Sequence, residues 1–419
     1  MLFSSKDKHR YLALDIGTDV VKALVFRIDK KSSKGVVLGV GKKKQRTGDM
    51  LSGGVANIEG VMETAREAFA VAMRKSRTKK IDRAVLGIAG ELVKGTTTTV
   101  HYERIRPDAK IDLSEMKEIM RQVQEKALER IKNQIAWETG NQSVDIKLIN
   151  AAIVNVRIDG YKVATPMGFQ GKNVSISIFN AYAPTVHLGA LETIADELDL
   201  SALSIVAEPY AVSRAIPTED ERDFHAIFID VGGGTTDIAV VRNGCLEGTK
   251  MFAIGGHSFT KHLAQECGVP FEEAEHAKVA YSRNSFQEEQ ISIPIDTVTK
   301  VMREDTKIWM GGLELALSEF LKNDVLPGRI LLCGGGTAIP EIVDAVSDER
   351  WRGELFFPPN VEIRYLLPKD VARMTDSTKE LVSPQDVTPL ALANLMLEIL
   401  SEEKMLSGIL KRTAKNVNS

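Results

Sequence analysis

Two stretches of this sequence place an aspartate where an apolar strand runs into glycine. The first is Leu12-Ala13-Leu14-Asp15-Ile16-Gly17-Thr18; the second is Ile227-Phe228-Ile229-Asp230-Val231-Gly232-Gly233-Gly234-Thr235-Thr236-Asp237. Glycine lets backbone N–H groups approach an anion where a Cβ would collide, so Gly17 with Thr18, and Gly232, Gly233 and Gly234 with Thr235, suit the binding of phosphate. An aspartate beside each loop repels bare phosphate and makes sense only with a cation in between. Asp15, Asp230 and Asp237 are therefore expected to hold Mg²⁺ through water, with Asp230 also orienting an attacking water. A lone Gly-Gly-Gly run is equally a tight hairpin, whereas two matched Asp-x-Gly loops argue for the ligand. A third glycine run, Gly334-Gly335-Gly336, follows the strand-like Ile330 to Cys333 and precedes Pro340, a favourable first-turn residue of a helix. A ribose and an adenine could lie on that turn; taken alone, it could also be an ordinary strand-to-helix connection.

The elements that must position these residues repeat. Each Asp-x-Gly loop is followed by a second apolar run, Val20 to Phe26 in one case and Ile238 to Val241 in the other, so each forms a hairpin. Placing Asp15 on Asp230 also places Gly17 on Gly232, about half the chain away, which predicts two halves of similar design. Helical spacing of apolar residues predicts helices over Ile58 to Lys75 and Thr185 to Leu198, with a short strand from Arg83 to Ala89. The Thr-rich strand Thr96 to His101, the charged amphipathic segment Leu113 to Lys132 and a hairpin at Tyr161 read as a small inserted α+β subdomain. Strand Val174 to Asn180 is expected to resume the first half. The predicted division is 7–94 with 173–215 for the first core, 95–172 for the insertion, 223–255 with 325–400 for the second core, 256–324 for an outer helical block, and 401–419 for a tail.

Composition narrows the class. A chain of 419 residues that is 43% hydrophobic and 6% aromatic supports a large buried core. Lys+Arg 54 against Asp+Glu 57 leaves a net charge of -3, so no whole-molecule positive field exists for nucleic acid or an acidic membrane, and any such binding must be local. Cys245, Cys267 and Cys333 form no CxxC pair, which points to a reducing cytoplasm. No secretory signal and no run of about 18 apolar residues is present. The seven histidines show no metal-ligand spacing.

At this point the motifs resemble a known superfamily. The Asp15 loop, the Asp230 to Asp237 loop and the Gly334 turn look like the phosphate 1, phosphate 2 and adenosine motifs of the actin, sugar kinase and heat-shock chaperone ATPases. The implied fold is α/β and actin-like: duplicated ribonuclease-H-like domains around a nucleotide cleft that takes ATP and Mg²⁺, with the small α+β insertion in the first half. Val206-Ala207-Glu208-Pro209-Tyr210-Ala211 resembles the first connecting helix, which implies a carboxylate, Glu208, near the attacking water. Glu275-His276-Ala277-Lys278 with Ser282 resembles the helix whose Glu, Lys and Ser contact adenine and ribose; a solvated charged helix face is the alternative reading. Over nearly the whole chain the sequence is similar to the bacterial cell-division family FtsA, through Gly39-Val40-Gly41, Arg46 to Met50, Gly53-Gly54-Val55 and the position of the insertion. That resemblance implies a cytoplasmic, ATP-dependent protofilament with at most slow hydrolysis, peripheral on the inner face of the membrane. Its implied partners are further copies of itself and the C-terminal tail peptide of the tubulin-like protein FtsZ.

FtsA proteins generally end in an amphipathic membrane helix. Here Lys404 to Ser419 carries Met405, Leu406, Ile409 and Leu410 at helical spacing beside Lys404, Lys411, Arg412 and Lys415, which suits an anionic membrane surface. Trp and Phe are absent and Gly408 weakens the helix, so single tails are expected to bind weakly and arrays of them firmly. The runner-up is a PilM-like cytoplasmic scaffold of type IV pili, which needs no membrane helix. A chaperone would continue into a peptide-binding domain, and a sugar kinase needs a further aspartate motif that is not found. The cluster Arg74, Lys75, Arg77, Lys79, Lys80 reads as a solvated helix end rather than a nucleic-acid site, and Lys42-Lys43-Lys44 as an exposed strand edge.

Overall fold

The computed structural model describes residues 10–29, 31–51, 53–89, 93–139, 145–163, 165–216, 224–321 and 325–401. The tail from 404 onward lies outside the described residues. The chain opens with β1 (Arg10–Ile16), β2 (Val20–Ile28) and β3 (Gly35–Lys44), runs of β-branched and aliphatic residues that form an antiparallel meander. A small hairpin, β4 (Met50–Leu51) and β5 (Gly54–Val55), leads to helix α1 (Ile58–Lys75), whose Asn57 cap accepts a hydrogen bond from Gly60 N at 3.3 Å. Val61, Thr64, Ala65, Ala68 and Ala72 form its buried stripe. Gly39 and Gly41 of β3 let α1 lie close, because a Cβ at either would strike the carbonyl of Ala72 or Ala68. Strand β6 (Arg83–Ile88) then pairs parallel to β1.

Next come β7 (Lys94–Glu103), α2 (Leu113–Thr139), β8 (Ile146–Ile158), β9 (Tyr161–Lys162), β10 (Asn173–Pro184), α3 (Thr185–Glu197), β11 (Ser201–Ala207) and α4 (Glu208–Ala215). The second half follows: β12 (Ala226–Val231), β13 (Thr236–Arg242), β14 (Cys245–Phe252), α5 (Gly256–Cys267), α6 (Phe271–Ser282), α7 (Ile295–Ser318), β15 (Arg329–Cys333), α8 (Pro340–Ser347), β16 (Glu362–Tyr365), β17 (Met374–Asp376) and α9 over 387–401.

Two sheets carry the repeat. One is ordered β11-β6-β1-β2-β3-β17; the other begins β16-β15-β12-β13-β14, so each half has an antiparallel meander flanked by parallel strands on the side of its first strand. Residues of β12 alternate between two cores. Ala226 and Phe228 face the core shared with α1, α3, α4 and α9, while Ile227, Ile229 and Val231 face the core built from α5, α7 and α8.

The strand expected over 174–180 to resume the first half extends to Asn173–Pro184; its Phe179, Ala181 and Ala183 pack in the core shared with α1, α3 and α4, and it pairs along its length with β7 and β8. Strand β7 in turn meets β14 through Gly248 and Thr96, and the Thr97 hydroxyl donates to the Leu246 carbonyl at 2.7 Å. The second sheet therefore continues as β14-β7-β10-β8-β9. The Lys42 to Lys44 run is likewise more than a solvated edge: Lys42 reaches the fully buried Asp386 at 2.5 Å and Lys43 pairs with Glu67 at 2.5 Å.

Candidate functional site

The two Asp-x-Gly hairpins meet tip to tip. Asp15 lies one residue before the end of β1 and Lys22 lies opposite it on β2, their side chains ion-paired at 3.2 Å. Asp230 on β12 lies opposite Asp237 on β13, with the Thr235 hydroxyl donating to Asp237 Oδ2 at 3.0 Å. Thr18 packs on Gly234 so closely that a Cβ there would come within 2.9 Å of the Thr18 hydroxyl oxygen. A Cβ on Gly233 would come within 3.0 Å of Asp19 Cβ. Asp19 Oδ1 also lies 3.1 Å from His257 Nε2, a contact from the first hairpin to the start of α5.

Helix α5 is seated on the second loop. Gly256 N donates to Gly232 O at 2.9 Å and His257 N to Gly233 O at 2.7 Å, so its first-turn donors are satisfied by loop carbonyls. Gly255 permits this approach, since a Cβ would come within 2.7 Å of Gly232 O.

Carboxylates gather behind the loops. Glu208 begins α4 directly after β11, and its Oε1 is buried without a hydrogen-bond partner among the described residues. Burial first, and then the negative charges of Asp15, Asp237 and Asp230, push the Glu208 carboxyl well above its ordinary range. Asp230 is raised as well, again by burial, although the Thr388 hydroxyl donates to its Oδ2 at 2.5 Å and Lys22 opposes the shift. Burial works to neutralise Lys22, but the surrounding charges of Asp15, Asp230 and Asp386 prevail and hold it above the usual lysine range. Burial beside Asp230 keeps the Cys333 thiol protonated.

A cluster with more buried negative than positive charge fits a divalent cation. Among the described residues no three His, Cys, Asp or Glu side chains are close enough to hold a metal directly. Asp15, Asp230 and Asp237 thus form no direct metal-ligating set among the described residues.

The remaining sequence-predicted residues fall in two groups. The Gly334 turn joins the acidic cluster: Gly334 has φ +88°, and a Cβ there would collide with Asp230 Oδ1. Gly336 lies against Val231, and Gly335 opens toward Gln385. Glu275 and Lys278 are drawn inward instead of facing solvent. Lys278 Nζ donates to Glu275 Oε2 at 2.7 Å, to Thr260 Oγ1 at 2.7 Å and to Gly256 O at 2.8 Å. Burial lowers the Lys278 pKa despite Glu275. Ser282 donates to the Lys278 carbonyl at 2.9 Å.

Sequence reasoning missed Lys22, Asp19, His257, Asp386 and Thr388. Lys22 was discoverable, because the hairpin register alone puts it across from Asp15; the others come from distant segments.

Comparisons with known proteins find similarity in sequence and in fold. Residues 227–386 match the family model described as cell division protein FtsA. The cell division protein FtsA of Neisseria meningitidis serogroup B is 27% identical over 360 residues, covering 81% of this chain and 81% of that protein. That of Pseudomonas aeruginosa is 24% identical over 383 residues, covering 87% and 84%. Among solved structures, the PilM-PilN type IV pilus biogenesis complex superposes with a TM-score of 0.63 at 17% identity, over 92% of this chain and 98% of that one. The chain is thus a sequence relative of the FtsA cell-division proteins, with the actin-like α/β fold.

Proposed function

We propose, from this kinship and from the meeting of the two acidic hairpins, that the chain binds ATP with Mg²⁺, forms protofilaments at the inner face of the cell membrane and tethers the FtsZ division ring there. The observation that supports this most is the contact of Thr18 and Asp19 with Gly233 and Gly234, because it brings both halves to one point backed by buried carboxylates.

In this reading the backbone N–H groups of Gly17, Thr18 and Gly232 to Thr235 hold the phosphates. Asp15, Asp230 and Asp237 would hold Mg²⁺ through water. Mg²⁺, when bound, supplies the charge that lets phosphate and carboxylate share the site. Glu208, buried beside these aspartates, would be the group that accepts a proton from the attacking water. The Gly334 to Gly336 turn takes the nucleoside, and Glu275, Lys278 and Ser282 brace it from α6. Because the two tips touch, admitting a triphosphate requires the halves to part, which couples nucleotide state to the shape presented to neighbouring copies. Lys404 to Ser419 supplies the membrane contact. Among the described residues no helix is long and apolar enough to cross a bilayer.

Calorimetry with MgATP tests the core of this reading. Asp230→Asn and Gly233→Val are expected to abolish measurable affinity, and unchanged affinity in both would remove the phosphate-loop assignment. Co-sedimentation with anionic vesicles and an FtsZ tail peptide tests the rest: ATP binding without lipid or peptide binding would favour the pilus-type scaffold.

A further inference from the structure

We propose that the protein body itself carries a second membrane contact, a cationic edge formed by the loop after α1, which docks on anionic lipid headgroups beside the tail. The inference rests on the membrane reading above and adds to it a surface that the tail does not supply.

Arg74, Arg77, Lys79, Lys80 and Arg83 are exposed at one edge of the first sheet, and none is ion-paired among the described residues. Lys75, in contrast, is spent on Glu380 at 2.5 Å. Only Arg74 and Lys75 lie in the last turn of α1. The helix dipole fades within one turn, so it does not account for the other cations.

The loop is built to hold those cations outward. Ser76, Thr78 and Ile81 are buried and alternate with the exposed Arg77 and the pair Lys79 and Lys80. The Ser76 hydroxyl lies 3.0 Å from Met73 O and 2.7 Å from the Thr78 hydroxyl, within reach of donating to either, and the Arg10 guanidinium donates to Ser76 O at 3.3 Å and to the Thr78 hydroxyl as well. Pinning the inward positions presents the outward charges as one ordered array. Asp82 is the one exposed acid within the loop.

The chain leaves the described structure at the same edge. Helix α9 starts at the acidic cluster, where Thr388 bonds Asp230. It then passes Gly87 with Leu392 and ends with Glu398 paired to Arg373 at 3.1 Å. The Arg373 carbonyl accepts from Gly35 N at the start of β3. Through the register of β1, β2 and β3, Gly35 and Arg10 share one edge of the sheet. The sequence beyond this point carries Lys404, Lys411, Arg412 and Lys415 among aliphatic residues. A flat anionic surface meeting that tail would also meet the loop, whereas the phosphate loops lie at the opposite end of the strands.

The test uses the full chain with phosphatidylcholine vesicles, with and without phosphatidylglycerol, across a salt series. Each cation near an anionic surface contributes about five-fold in affinity, so Arg77→Gln/Lys79→Gln/Lys80→Gln should bind on the order of 100-fold more weakly, with a shallower salt dependence. Its melting temperature and MgATP affinity should stay at those of the parent. Arg74→Gln/Arg83→Gln, from the same edge, should lose on the order of 10-fold. The proposal is overturned if both variants stay within about two-fold of the parent while Leu406→Glu/Ile409→Glu releases the protein, an outcome that leaves tail anchoring intact. It is overturned too if the substitutions weaken binding to random-sequence DNA and not to vesicles. A parent chain that ignores anionic vesicles altogether removes the membrane reading itself, and with it this surface.

Discussion

The two hairpins share a backbone and differ in charge. The same step in sequence that carries Asp15 to Asp230 also carries Lys22 to Asp237, so a cation faces the aspartate in one hairpin and a second carboxylate faces it in the other. The first hairpin is neutralised internally. The second has to be balanced from outside, by Lys22 across the interface and by the hydroxyl of Thr388. Their tips differ in a matching way: where the first has Thr18 and Asp19, the second has Gly233 and Gly234, and the side chains of one fill the space left by the glycines of the other. Duplication thus produced two halves that fit because they stopped being identical.

The sharpest way to break this comparison is Lys22→Met, which leaves the buried carboxylates without their shared cation. Removing one member of a buried pair costs about 3–5 kcal/mol, so urea denaturation without nucleotide should show a large fall in midpoint. A midpoint equal to that of the parent would mean the carboxylates are balanced in some other way.

A second, smaller effect concerns pH. Asp230 is raised above its ordinary value of 3.8 in the folded protein. The native state therefore holds its proton more tightly than the unfolded chain. The associated stability is fully present below about pH 3.8 and is lost as pH rises through the higher folded value. Asp230→Asn lacks this loss, so its melting temperature relative to the parent should climb as pH goes from 4 toward neutrality. A difference that is flat with pH would show that Asp230 is not held in its protonated form.

The smallest effect separates the two glycines that open the tips. A Cβ on Gly17 would come within 2.9 Å of the Val20 carbonyl, whereas one on Gly232 would come within 3.3 Å of the Thr235 carbonyl. Gly17→Ala should cost on the order of 1 kcal/mol more than Gly232→Ala, and the reverse order in thermal melts would contradict the tighter first turn.

Much of the site was legible because its signals are local. Aspartate, glycine and a following apolar run specify a hairpin from adjacent residues, and both hairpins, the β15 turn and the start of α4 at Glu208 stand where expected. Strand β10 was not legible in the same way. Its apolar pattern identifies a strand, but any sheet can accept such a strand, and its actual partners β7 and β8 are chosen by non-local hydrogen bonding. Lys278 shows the same limit. The resemblance implied a nucleoside contact and the charge pattern alone allowed a solvated face, while only the packing of α6 on α5 decided that its ammonium turns toward Gly256 and Thr260.

By itself, then, the sequence determined that there are two acidic, glycine-rich hairpins and which residues could bind phosphate, because backbone permissiveness and strand patterning are properties of neighbours in the chain. Only the tertiary structure decided which carboxylates share a space, that Lys22 serves both halves, and that Asp386 and Thr388 close the cluster. Those relations depend on desolvation and on distances between segments far apart in sequence, and neither exists until the chain has folded.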